Sequence, residues 1–115
     1  DIDTNTIMVM TAYPGASASD IENNVTRPLE NTLNAVSNLK HITSRSSENM
    51  SLITLEFEFG NDIDVLTNDV RDKLDMVSSQ LPDDVENPII FKFSTDMIPN
   101  RTAFRPGERE PVGTL

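Results

Sequence analysis

The chain of 115 residues has no cysteine and no tryptophan. The first absence excludes a disulfide framework, thiolate zinc sites, thiol nucleophiles and the paired-cysteine chemistry of small metal chaperones. Basic residues are few: 9 Lys and Arg stand against 19 Asp and Glu, for a formal net charge of −10. Such a surface repels phosphate backbones and anionic headgroups, so nucleic acid is not an expected partner. Aromatics make up only 5%, too few for an RNA-recognition sheet, where they alternate with basic side chains. With 4 glycines there is no Gly-rich loop to cradle a phosphate. No apolar run approaches the roughly 20 residues that cross a bilayer. The chain opens on Asp1, with neither an initiator methionine nor a leader, and reads as a segment of something longer.

What is present is enough for one core. An apolar fraction of 37% supports a single packed domain. Residues 6–13 (TIMVMTAY) read as a strand ended by Pro14-Gly15. Ser17, with Asp20 three residues on, resembles a capping box and predicts a helix over residues 17–36. Its apolar stripe is Ile21, Val25, Leu29, Leu33 and Val36, and Pro28 predicts a kink near Asn24. A second strand is expected over 40–46. In residues 52–59, Ile53, Leu55, Phe57 and Phe59 alternate with Leu52, Thr54, Glu56 and Glu58, the pattern of a half-buried strand. Asn61 or Asp62 can cap a second helix over 62–80, where Ile63, Leu66, Val70, Leu74, Val77 and Leu81 recur at helical spacing. A last strand covers 89–94.

Strand, helix, strand, strand, helix, strand is the ferredoxin-like split βαβ order: an α+β fold with two helices on one face of a four-stranded antiparallel sheet. Residues 100–115 show no periodicity and read as an irregular tail, a linker or artificial sequence.

Candidate chemistry is thin. His41 is the sole imidazole, and no metal-binding spacing surrounds it. Glu56 and Glu58 share a strand face, but alternate polar residues are the default on a half-buried strand. Asp62 and Asp64 lack the glycine and distant glutamate of a calcium loop. No metal, cofactor or catalytic residue is expected. Two features stand out instead. Met8, Met10, Ala12 and Leu52 fall on the sheet face away from the helices, which leaves apolar surface for a partner or ligand. Asp64, Asn68, Asp72, Asp75 and Ser79 form a polar stripe on the outer side of the second helix.

The run Tyr13-Pro14-Gly15-Ala16-Ser17 strongly resembles a segment of the resistance–nodulation–division (RND) efflux transporters. So does Val25-Thr26-Arg27-Pro28-Leu29-Glu30. Ser44-Arg45-Ser46, Ile53-Thr54-Leu55-Glu56-Phe57 and Gly60-Asn61-Asp62-Ile63-Asp64 follow in order. Asn68-Asp69-Val70-Arg71-Asp72-Lys73, Leu81-Pro82 and Asn87-Pro88 complete the set. The likeness covers residues 1–99, in the N-terminal periplasmic half of these pumps. It is closer to the hydrophobic and amphiphilic drug exporters, the acriflavine-resistance branch, than to heavy-metal pumps. Residues 101–115 depart from the family.

The resemblance implies a porter subdomain on the periplasmic side of a proton-driven inner-membrane pump, with no catalysis of its own. It implies a homotrimer that works with a periplasmic adaptor and an outer-membrane channel on small-molecule substrates. The second helix would line the threefold axis, with Asp64, Asn68, Asp72, Asp75 and Ser79 facing it. Met10 and Leu52 match positions on the substrate route, where drug exporters often carry polar residues. The proton-relay carboxylates and lysine would lie in membrane helices outside this stretch, and the domain alone is expected to be monomeric. The alternatives are a stand-alone ferredoxin-like ligand-sensing or regulatory domain and an acylphosphatase-type hydrolase. The latter needs an arginine in the loop after the first strand, and residues 13–17 contain none.

Overall fold

A computed structural model describes residues 5–58 and 60–94. The elements run β1 (Asn5–Ala12), α1 (Ala18–Ile21), a π-helical turn (Glu22–Thr26), α2 (Arg27–Leu33), β2 (Leu39–Ser47), β3 (Met50–Phe57), α3 (Ile63–Val77), a 3₁₀ turn (Ser78–Gln80) and β4 (Ile89–Ser94). The strands form one antiparallel sheet in the order β2-β3-β1-β4. β3 is thus inserted between β1 and β2, as the split βαβ topology requires.

The period-2 pattern fixes the two faces. Ile7, Val9, Ile53, Leu55 and Phe57 are fully buried, against Ile21, Val25, Leu29, Leu33, Leu66, Val70, Leu74 and Val77 of the helical segments. Burying each such side chain contributes roughly 1.5–3 kcal/mol. Glu56 faces away from the helices and Glu58 is exposed. Phe59 and residues 100–115 lie outside the described residues.

The first helix differs from expectation. At the place where Pro28 predicted a kink, near Asn24, the chain widens into a π turn over Glu22–Thr26. The Arg27 N–H donates to the Glu22 carbonyl, five residues back. Proline has no N–H, and its ring would crowd the carbonyl four residues earlier in an α-helix, so widening relieves both problems. The regular helix then ends at Leu33 instead of Val36. The next residues close tight turns, with the N–H of Ala35 on the Thr32 carbonyl (3.1 Å) and that of Val36 on Leu33 (3.0 Å). Val36 still reaches the core.

Caps explain the remaining boundaries. The Ser17 hydroxyl accepts the Asp20 N–H at 3.1 Å, and the Asp62 carboxylate accepts the Asp64 N–H at 2.9 Å. Helix α3 ends three residues early because Ser78–Gln80 tighten to 3₁₀. Strand β2 begins with a bulge between Leu39 and His41.

Among the described residues four have left-handed backbone, Gly15, Asn38, Asn49 and Gly60, and two of them shape the loop after β1. Gly15 has φ +87°, and no atom lies within 4 Å of where a Cβ would sit; the backbone angle, not space, demands glycine. Asn49 has φ 69° in the β2–β3 turn, a conformation asparagine tolerates. Its backbone and side chain clamp the Tyr13-to-Ala16 loop. Tyr13 N–H donates to the Asn49 carbonyl (2.8 Å), Asn49 N–H to the Ala16 carbonyl (3.0 Å) and Gly15 N–H to Asn49 Oδ1 (2.7 Å).

Candidate functional site

Because both helical layers cover one side, the other side of the sheet carries no covering element among the described residues. Antiparallel register lets it be read in rows. Ile89, Met10, Leu52 and Arg45 lie side by side across β4, β1, β3 and β2. The next row is Phe91, Met8, Thr54 and Thr43, and the next Phe93, Thr6, Glu56 and His41. The face therefore grades from apolar at β4 and β1 to polar at β2. Ile89, Phe91 and Phe93 expose 52%, 41% and 52% of their surface, values that core aromatics do not show.

Met10 and Leu52 are direct cross-strand neighbours on this face, and both are half-buried. Met8 and Ala12 share it. The sequence reading missed Ile89, Phe91, Phe93 and Met50. The alternation of Ile89, Phe91 and Phe93 with Ile90 and Lys92 was the available signal, but only strand register tells which set faces the helices.

At the end of the face where β1 stops, a cavity of about 340 Å³ opens between the β2–β3 turn and the start of β4. Met10, Ala12, Met50 and Ile89 provide apolar lining, and Glu48, Asn49, Glu86 and Asn87 the polar part. Both walls are tied to the same strand end: Tyr13 N–H donates to the Asn49 carbonyl, and Glu86 N–H to the Ala12 carbonyl at 2.9 Å.

The second candidate is the outer side of α3. Asp64, Asn68, Asp72 and Asp75 are all exposed there, and Ser79 continues the line on the 3₁₀ turn. The charge is less uniform than the stripe suggested. Lys92 Nζ on β4 donates to Asp64 at 3.0 Å, and Asp64 also sits in the first helical turn, where the helix dipole favours an anion. Val65 and Met76, 62% and 67% exposed, flank the stripe and were not singled out from sequence.

Asp69 lies off the stripe and does different work. It accepts the Ser37 N–H at 3.1 Å and pairs with Lys73 at 3.0 Å, so it ties α3 to the turn after α2. The Ser37 N–H holds its carboxyl below the usual range, and Lys73 adds to this while partial burial opposes it.

A polar seam joins the π turn to the sheet. Thr26 Oγ1 donates to Ser51 Oγ at 2.8 Å and lies 2.8 Å from Ser46 Oγ, which donates to Glu22 at 2.7 Å. Thr26 and Ser51 are fully buried. Beside them Thr11, paired with Ser51 across the strands, is fully buried and its hydroxyl has no partner among the described residues.

Among the described residues, no three or more His, Asp or Glu side chains converge as metal ligands. His41 is exposed on β2 opposite Glu56. No helix of the described residues is long and apolar enough to cross a membrane.

The family model described as the AcrB/AcrD/AcrF family matches residues 1–100. The chain belongs to this family. As a member of the AcrB/AcrD/AcrF family it is part of the RND efflux transporters, and the match takes in every described element from β1 to β4.

Proposed function

We propose that this domain is a non-enzymatic porter module on the periplasmic side of a proton-driven inner-membrane drug exporter. Its helix-free sheet face forms one wall of the substrate route, with Met10 and Leu52 at its centre. Its α3 stripe of Asp64, Asn68, Asp72, Asp75 and Ser79 faces the threefold axis of a homotrimer. The adaptor and the outer-membrane channel complete the export path. Rigid-body movement of the module changes which contacts a substrate meets, and differential contacts shift the population of states.

The observation that carries this reading is the apolar half of the sheet, which no element among the described residues covers. Monomeric soluble proteins rarely leave a contiguous apolar patch of this kind without a use. Methionines suit a wall that meets many shapes, since the unbranched thioether adapts its rotamers.

The test is the full-length transporter carrying Met10→Asp or Leu52→Asp. Export of hydrophobic dyes should fall, because the carboxylate keeps its hydration and rejects apolar groups. Glu58→Asp, away from the apolar rows, should leave export intact. Unchanged efflux in both variants, with normal protein levels and trimer assembly, refutes the role of this face.

A further inference from the structure

We infer that Asp69 is the positioning residue that sets the roll of α3 about its own axis, and so decides which charges that helix turns outward. This role follows from how α3 packs and goes beyond the assignment of its outer face. At 100° per residue, the buried Leu66, Val77, Val70 and Leu74 fill an arc of about 80°. Thr67, also buried, ends the arc on one side. Past Leu66 on the other side come Lys73, Asp69, Met76 and Val65, at about 20°, 60°, 80° and 100°. Apolar surface thus continues beyond the buried arc, since Met76 and Val65 are largely exposed. Burial of apolar area is non-directional, and alone it would pull this flank toward the core.

A roll of about 40° brings Met76 and Val65 under cover, lifts Thr67 and Leu74, and turns Arg71 outward as Asp72 swings aside. Asp69 is the stop. Its carboxylate accepts the Ser37 N–H at 3.1 Å and pairs with Lys73 at 3.0 Å, while both side chains are mostly buried, at 27% and 22% exposure. Rolling inward would break the bond to Ser37 and drive the carboxylate out of water, which costs far more than burying a neutral group. Ser37 is a fixed mark for that bond. Val36 before it is buried, and the carbonyl of Asn38 after it accepts the Glu58 N–H at 3.0 Å, so the turn is held to the core and to the end of β3. Among the described residues one other side-chain bond ties α3 to a neighbouring element, Lys92 on Asp64. It reaches only the first helical turn, and its exposed partners are screened by water.

Single cysteines report the roll, since the chain has none of its own. Thr67→Cys and Met76→Cys are each made in the full chain with Asp69, with Asp69→Ala and with Asp69→Asn. Alkylation by iodoacetamide is timed under native conditions, and the amide spectrum of each variant checks that it is folded. With Asp69 in place, Met76→Cys should react fast and Thr67→Cys slowly. In Asp69→Ala, a rolled state populated half of the time should slow Met76→Cys about twofold and speed Thr67→Cys about tenfold or more. Asp69→Asn keeps an acceptor for the Ser37 N–H and should stay near the wild-type pattern. Opposite changes at the two borders mark a roll, whereas a plain loss of stability speeds both sites. If Asp69→Ala speeds both positions, or leaves both unchanged, the positioning role is refuted. If Asp69→Asn reproduces the Asp69→Ala pattern, the bond to Ser37 is not the stop and the inference falls.

Discussion

Thr11 and Thr26 offer the same chemical change at two buried hydroxyls with opposite expected signs. Both are fully buried, yet among the described residues Thr11 Oγ1 has no partner and Thr26 Oγ1 contacts Ser46 and Ser51. An unpaired buried hydroxyl costs about 1–3 kcal/mol of desolvation. Thr11→Val replaces it with a methyl of similar shape, so stability should rise by about 1–2 kcal/mol. Thr26→Val leaves the buried Ser51 hydroxyl without its donor and should cost about 1–3 kcal/mol. For a domain of this size 1 kcal/mol moves the Tm by roughly 4–8 °C, so the variants should separate clearly in thermal melts and urea titrations. Loss of stability in Thr11→Val would refute the reasoning, because it would mean that the hydroxyl has a partner, such as a trapped water. A neutral Thr26→Val would show that the seam does not hold the π turn to the sheet.

Leu74, almost fully buried on α3, should cost about 2–5 kcal/mol on truncation to Ala, read by urea denaturation. Asp69→Asn should lower stability at pH 7 by about 0.5–1 kcal/mol, an amount kept small by partial exposure. Because the folded-state pKa is depressed, the wild-type advantage is fully present above the unfolded value of about 3.9 and lost as pH falls through the lower folded value. The two proteins should therefore converge in strong acid; a gap that persists there counts against the Ser37 and Lys73 account. In the full-length transporter, single cysteines at Asn68 or Asp72 should cross-link between protomers, while one at Asp69 should not. Asp69 points about a sixth to a quarter of a turn aside from these two positions, and equal trapping at all three, or none, would refute the axis assignment. The isolated domain should sediment as a monomer at neutral pH, and micromolar zinc, calcium or chelator should leave its Tm unchanged.

Much of the frame was legible because the periodicities are strong. Ile53, Leu55 and Phe57 alternate cleanly, and Leu66, Val70, Leu74 and Val77 step at helical spacing; all are buried as read. The ends were less legible, since caps and tight turns depend on a few hydrogen bonds: β3 begins at Met50, two residues earlier than its alternation suggested. Strand β2 has an irregular burial pattern because it is an edge strand with a bulge. The open face was half readable. Met10 and Leu52 followed from alternation, but Ile89, Phe91 and Phe93 needed the β1–β4 register, which no local pattern encodes. Lys92 shows why. Its Cα sits opposite the buried Ile7, yet from an edge strand its long side chain reaches out to Asp64, so position in the ladder does not dictate burial.

The π turn changes how this fold can tolerate changes in length. Ile21, Val25, Leu29 and Leu33 are spaced four apart, and in an α-helix each such step overshoots a full turn by about 40°. The wider turn at Glu22–Thr26 underwinds the middle of the run and lets all four reach the same core. Its outer side carries Asn23 and Asn24, both exposed. A residue lost there can be absorbed as a return from π to α winding, inside the helix. The same change in β1 or β3 would slip the ladder and turn every side chain to the opposite face. The helix thus acts as a length buffer, and the register that sets Met10 beside Leu52 is insulated from it.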